Sequence, residues 1–291
     1  AAKFCLTRAA AHAATRVQFG QPIGQFELLQ QKLAFMAAGA YAMEAMTYQT
    51  AALIDAGAAD YMLETALLKV FATETLWRIV NDTIQVFGGR AYFTDEPYER
   101  LLRDARINTI GEGANDVLRA FAALVGLRDV GLDLQGVLAA ARQPLRNLGR
   151  LGQFAGRKLE SWFSSPHVEV SRAPLEPAAD ELGRLAGEFG GHVERLLRTH
   201  REAIVDRQHC LGRVADAAAE LYASACVLRR LDCQWTSGSE DAATRQRDRA
   251  AGLYYLATAA RRIRRNLDEL WSNDDDQTNR LAALVLARAE R

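Results

Sequence analysis

Between Ile107 and Asp116 the chain reads Ile-Asn-Thr-Ile-Gly-Glu-Gly-Ala-Asn-Asp, which sets one carboxylate, Glu112, between Gly111 and Gly113. Neither neighbour has a side chain to obstruct a ligand, so Glu112 is accessible and can be approached closely. The plainer use of the same residues is to complement the dipole of a helix starting near Asn115, with the glycines supplying turn geometry. Glu74 is a rival carboxylate because it falls on the apolar stripe of a helical segment, where an ion pair inside a bundle accounts for it. Arg103 and Asp104 read in the same way, as an internal ion pair. Metal and nucleophile chemistry find less support. His12, His167, His192, His200 and His209 show no His-Glu-x-x-His or Cys/His ligand spacing, and His192 and His200 lie two turns apart on a polar face, as solvated histidines do. No metal site is expected, and no Gly-x-Ser-x-Gly, P-loop or Gly-x-Gly-x-x-Gly occurs.

The elements that must position Glu112 read as helices. From Phe26 to Ala56, Leu29, Leu33, Met36, Ala40, Met43 and Thr47 recur at steps of three and four without proline. A second long helix begins near Asp60, carries Leu63, Leu67, Val70, Trp77, Val80, Ile84 and Phe87, and stops at Gly88-Gly89. An alanine-rich helix over Lys3 to Val17 precedes them, and Asn115 to Leu127 follows. Four of the six prolines then fall between residues 132 and 177, which reads as a linker. Helical periodicity returns from Ala178 through Leu182, Leu185, Phe189, Val193, Leu196 and Leu197, again over Val214 to Leu231 and Leu253 to Leu270, with a last helix from about Asp276. Asn273 to Asp276 supply its cap and dipole partners. The expectation is an all-α chain with domains at 1–131 and 178–291 joined by 132–177. No segment alternates as a strand would.

Composition narrows the partners. Thirty-six basic against 36 acidic side chains leave no net field for nucleic acid or an anionic bilayer, so such binding needs a local patch. Nucleic acid is not expected. The four cysteines include no Cys-x-x-Cys pair and fit a reducing compartment. No run reaches the roughly 18 apolar residues of a membrane span. One local patch does exist on the linker: Leu145, Leu148, Leu151, Ala155, Leu159 and Trp162 recur at helical steps, with Arg142, Arg146, Arg150, Arg157 and Lys158 alongside. Residues 142–163 therefore match an interfacial membrane helix, or a helix docked on the protein's own bundle.

Taken in order, Arg16-Val-Gln-Phe-Gly-Gln-Pro-Ile23, Gln30-Gln-Lys-Leu-Ala34, Gln85-Val-Phe-Gly-Gly89, Tyr92, Pro97-Tyr-Glu-Arg100, Arg103-Asp104 and the Glu112 segment resemble the C-terminal catalytic domain of the acyl-CoA dehydrogenases. Leu196 to Gln208 and Arg213 to Ala223 resemble the additional helical domain of that family's very-long-chain branch. The resemblance implies a four-helix-bundle domain followed by a second helical bundle, FAD as cofactor, and dehydrogenation of a long- or very-long-chain acyl-CoA to the trans-2-enoyl-CoA in fatty-acid β-oxidation. It implies that Glu112 removes the α-proton while its backbone N–H polarises the thioester carbonyl, with Gly111 and Gly113 beside the substrate. It places Arg16, Gln18 and Phe19, and Gln85, Gly88 and Gly89, at the FAD of a neighbouring subunit in a homodimer, and Ala114 and Asp116 at the flavin. Electron-transfer flavoprotein is the implied acceptor. The implied location is the bacterial cytoplasm, with contact at the inner membrane surface, or the mitochondrial matrix and inner membrane.

The chain departs from the family pattern at Ala114, where threonine is usual, at Gly111, where an aromatic is usual, and at Ala91, where glycine is usual. It also lacks the N-terminal helical and central β-domains that supply much of the flavin and acyl-CoA pocket. Two other readings follow from the same residues: an acyl-CoA oxidase, in which oxygen is the acceptor, and a non-catalytic assembly or adaptor protein on the same scaffold.

Overall fold

The computed structural model describes residues 1–141, 166–235 and 241–289. Helix α1 (Ala2–Thr15) buries Cys5, Ala9 and Ala13, one turn apart on a single face. A short antiparallel hairpin follows, β1 (Val17–Gln18) against β2 (Gln21–Pro22), with Gln18 opposite Gln21. Its two turn residues, Phe19 and Gly20, both have positive φ, 52° and 83°, as the twist of a two-residue hairpin loop requires. This hairpin is the one departure from helix among the described residues that the sequence did not announce.

Helices α2 (Glu27–Asp55) and α3 (Met62–Phe87) form the long antiparallel pair, and α3 ends on Gly88 at φ 63°. Helix α4 (Tyr98–Asn108) and α5 (Asn115–Ala141) flank the Glu112 segment. α5 runs nearly four turns beyond the expected end at Leu127, so helix occupies residues 132–141 of the segment read as linker. The reason is local: no proline falls before Pro144, and Gly126, Gly131 and Gly136 weaken a helix by about 1 kcal/mol each without breaking it. The basic amphipathic run of 142–163 lies outside the described residues.

Pro174 and Pro177 open helical turns, a position where the missing N–H has no intrahelical partner to lose. α6 (Glu176–His200), α7 (Gln208–Gln234), α8 (Ala242–Asp268) and α9 (Asp275–Ala289) make the second half. Asp241 caps α8, its side chain accepting from Thr244 N–H at 2.8 Å. Asn273 accepts from the Asp275 N–H at 3.2 Å at the start of α9.

The halves share a core. Tyr41, Ala42, Met46 and Phe71 of α2 and α3 pack in one cluster with Leu175, Leu182, Val227, Leu228, Leu231 and Tyr255 of the second half. Each such fully buried side chain contributes about 1.5–3 kcal/mol, so the contact is a packing core rather than a glancing touch. A second cluster joins Ala123 and Leu127 of α5 to Leu196, Leu211, Val214 and Ile263. The first half keeps its own cluster around Cys5, Met36, Ile79, Val80 and Val86.

Two side-chain expectations change. Arg103 pairs with Glu99 one turn earlier, at 3.1 Å on the exposed face of α4, not internally with Asp104, because i and i+4 residues face one another and adjacent ones do not. His192 is not a solvated histidine: it is half-buried, and its Nδ1 accepts from Trp271 Nε1 at 2.8 Å.

Candidate functional site

The chain turns out of α4 at Thr109, whose backbone N–H bonds to Arg106 and whose hydroxyl bonds to Arg106 O at 2.9 Å, and re-enters helix at Asn115. Asn115 N–H reaches back to Thr109 O at 3.0 Å, closing a compact loop. Within it Glu112 has φ 55° and Gly113 φ 94°. A side chain at Gly113 would also meet Leu118 at 3.2 Å, so glycine is required twice over at that position. Gly111 carries no such demand, since a Cβ there would make ordinary contact with Ile107 O at 3.5 Å. Glu112 is exposed, and among the described residues no acceptor takes its backbone N–H. A non-glycine residue held in the left-handed region persists only where its surroundings fix it.

Those surroundings are polar, with buried Asn115 at their centre and half-exposed Lys69, Thr73 and Glu74 around it. Asn115, 3% exposed, donates from Nδ2 to Thr73 Oγ1 and to Glu74 Oε1, each at 2.9 Å. Lys69 Nζ donates to Asn115 Oδ1 and to the Gly113 carbonyl, each at 2.7 Å. Burial pushes the Lys69 ammonium below its usual range, and the charges of Glu74 and Glu112 oppose that. Glu74 also accepts from Arg119 Nη1 at 3.3 Å, so its place in the bundle is the ion pair expected for it. Asp116 points the other way, 98% exposed at its side chain, and with Arg119 lines a cleft of about 780 Å³ bounded by Arg207, His209 and Asn273.

The other expected residues gather elsewhere. His12 stacks on Phe87 with ring centroids 4.3 Å apart, and Phe87 lies against buried Tyr98 at 4.4 Å. This stack pins the end of α1 to the end of α3 and brings Arg16 and Gly89 together in one cavity of about 490 Å³, with Thr15 and Arg90. Burial first, then Arg16 and Arg90, lower the His12 pKa. Phe19 stands 93% exposed at the tip of the hairpin. Gln18 bonds its own neighbour, Nε2 to Val17 O at 2.8 Å, and Gln85 is exposed on the last turn of α3. Added Cβ atoms at Gly88 and Gly89 would meet nothing within 4 Å, so at Gly89 nothing described in the chain itself demands glycine. The corner fits a dinucleotide pyrophosphate: the Arg16 guanidinium is at hand beside Arg90, which Glu96 holds at 2.6 Å, and two glycines leave the backbone open to close approach.

Glu112 and this corner do not meet in one chain. Lys69, which holds the Gly113 carbonyl, precedes Gly88 by nineteen residues of α3, about 28 Å along the helix axis. Sequence reading singled out Glu112 and both glycine motifs but not Lys69, Thr73, Arg119 and Asp216, which the fold brings together behind Glu112. Lys69 left one faint signal, as one of four lysines among 36 basic residues.

Residues 1–126 match the sequence family described as "Acyl-CoA dehydrogenase, C-terminal domain", and residues 173–289 match "ACAD9/ACADV, C-terminal domain". Over 284 residues the chain is 37% identical to the mitochondrial very long-chain specific acyl-CoA dehydrogenase of Bos taurus, covering 94% of this chain and 42% of that protein. It is 30% identical over 292 residues to the probable acyl-CoA dehydrogenase FadE10 of Mycobacterium tuberculosis, covering 93% and 44%. The structure of the acyl-CoA dehydrogenase of Bacillus anthracis complexed with FAD is similar at a TM-score of 0.73 and 27% identity, over 97% of this chain and 49% of that one. The chain thus spans less than half the length of the curated relatives it matches. Both of its halves, in order, carry domains of one lineage, and the chain belongs to the acyl-CoA dehydrogenase family.

Proposed function

We propose that the protein carrying this chain dehydrogenates long- or very-long-chain acyl-CoA to the trans-2-enoyl-CoA, with FAD as cofactor, in fatty-acid β-oxidation. One observation carries the reading: an exposed carboxylate, Glu112, held on a left-handed backbone by a loop whose polar atoms are braced from beneath. In this reading Glu112 takes the α-proton of the thioester, and its uncommitted N–H donates to the thioester carbonyl, stabilising the negative charge that develops there. FAD, when bound, supplies the acceptor for the β-hydride. Gly111 and Gly113 leave room for the substrate on either side of the base, and Ala114 would lie at the flavin, while Asp116, whose side chain points into the other cleft, would reach it only through its backbone. Ala114 offers no hydroxyl, so contact there is by backbone and methyl alone.

The separation of Glu112 from Arg16, Gln18, Phe19, Gln85, Gly88 and Gly89 supports a homodimer in which each chain lends its corner to its partner's FAD. Electron-transfer flavoprotein is the proposed acceptor. Peripheral membrane contact through residues 142–163 is proposed from their sequence. Among the described residues no helix is long and apolar enough to cross a membrane. Replacing Leu148, Leu151 and Leu159 by serine is expected to abolish co-sedimentation with anionic vesicles; unchanged binding would assign the segment to the protein's own surface.

The decisive experiment on the reaction is Glu112→Gln in the full-length, flavin-loaded protein. The amide is nearly isosteric and cannot take a proton, and general-base contributions are about 10²–10⁴-fold. Flavin content should be unchanged while bleaching by hexadecanoyl-CoA slows by at least that range. Wild-type bleaching in the variant would remove Glu112 as base. A wild-type protein that binds flavin but is never bleached by acyl-CoA would favour the non-catalytic scaffold.

A further inference from the structure

Asp216 sits on α7, in the half of the chain that holds none of the residues assigned above. Its Oδ1 accepts from Arg119 Nε at 2.8 Å. Arg119 Nη1 in turn donates to Glu74 Oε1 at 3.3 Å, and the same oxygen accepts from Asn115 Nδ2 at 2.9 Å. Asn115 Oδ1 accepts from Lys69 Nζ, which also donates to the Gly113 carbonyl. An unbroken polar chain therefore runs from the second half of the molecule to the peptide that follows Glu112.

We infer that Asp216 is a positioning residue for Glu112, acting through Arg119, Glu74, Asn115 and Lys69. The inference rests on Glu112 being the base. Its physical content is a competition at one oxygen. Arg119 and Asn115 stand one turn apart on α5, and both donate to Glu74 Oε1. Asp216 engages the Nε edge of the guanidinium at 2.8 Å and shares its charge with Glu74 at 3.3 Å and, more weakly, with exposed Asp116 at 3.8 Å. Without Asp216 the whole guanidinium turns on Glu74, for which a paired, charge-assisted contact outcompetes a neutral amide. Asn115 is then held from its Nδ2 by Thr73 alone, its Oδ1 no longer fixes the Lys69 ammonium in one place, and the Gly113 carbonyl is left on a less constrained donor. The left-handed backbone at Glu112, which its surroundings must hold, relaxes.

A merely adhesive role for Asp216 predicts something else, and a second cross-half ion pair separates the two. Arg230 on α7 donates to Glu44 on α2 at 2.8 Å, and Glu44 also pairs with Lys3, with no route to the Glu112 loop. Asp216→Asn and Glu44→Gln should lower the thermal midpoint alike. Only Asp216→Asn should speed amide exchange over residues 109–116, measured in this chain without flavin. In the full-length protein it should slow flavin bleaching at saturating hexadecanoyl-CoA by about tenfold to a hundredfold, the scale of a misplaced reacting group, with KM changed less than twofold. Loop exchange and kcat at wild-type values in Asp216→Asn, or equal losses in Glu44→Gln, would overturn the inference. A wild-type protein that acyl-CoA never bleaches would defeat the reading of Glu112 instead, while the exchange measurement would still decide whether Asp216 holds the loop.

Discussion

The Glu112 loop and the Arg16 corner are both built from short glycine-bearing motifs, yet the chain treats them differently. Beneath the loop, Lys69, Thr73, Glu74, Asn115 and Arg119 answer one another at hydrogen-bonding distance, and the second half adds Asp216. At the corner, Phe19 stands in the open and Gly89 faces space that a side chain could fill. Among the described residues no carboxylate pairs with Arg16. A surface completed from within can be read from one chain. A surface left incomplete is where the cofactor and the partner chain proposed above would have to fit.

Substituting one residue on each surface tests that contrast. Asn115→Ala deletes a buried hub and leaves Glu74, Thr73 and Lys69 short of partners, at a cost of about 1–3 kcal/mol. In this chain alone its thermal midpoint should fall by several degrees. Arg16→Ala should leave the same chain within about 0.5 kcal/mol of its starting stability, as surface changes do. In the full-length assembly the order should invert at the cofactor: Arg16→Ala should weaken flavin retention and dimer stability together through dilution and gel filtration. Full retention of flavin by Arg16→Ala would show that the corner is only a helix end and a hairpin. A destabilised chain would show that the corner is braced after all.

What the sequence made legible follows the same line. The long helices were plain because Leu29 to Thr47 and Leu63 to Phe87 keep one period over about five and nearly seven turns, and Gly88 marked the stop where positive φ was needed. Glu112 stood out because its neighbours lack side chains. The brace beneath it was silent, because Lys69, Glu74, Arg119 and Asp216 are ordinary charged residues whose meeting depends on how α3, α5 and α7 cross, which periodicity does not encode. Asp82 shows the same limit: it is buried in α3 and paired with Lys32 at 2.6 Å, yet in sequence it interrupts an apolar run. The α5 extension was missed because residues 132–141 were grouped with the proline-bearing stretch that follows, although they hold no proline themselves and helix continues through them to Ala141.

The smallest expected effect concerns two histidines, one at each kind of surface. His12 belongs to the open corner, stacked on Phe87, and His192 to the closed second half, where it accepts from Trp271 while Arg195 lies over the same indole at 3.9 Å. Burial first, then the Arg195 charge, push the His192 pKa below its ordinary value of 6.5, with Asp268 and Glu188 opposing. Protonation at Nδ1 would also set donor against donor. A base whose folded pKa is lowered binds its proton more readily in the unfolded chain, so stability is lost as pH falls below about 6.5 and levels off beneath the folded value. His192→Gln keeps an oxygen that can accept from the indole and does not titrate in this range. The thermal midpoint of the variant should therefore fall less between pH 7.5 and pH 5 than that of the wild type. The slope that remains includes His12, which His12→Gln should reduce further. An unchanged slope in His192→Gln would mean that Trp271 does not depend on a neutral imidazole, and that the second half is less closed around that contact than its geometry indicates.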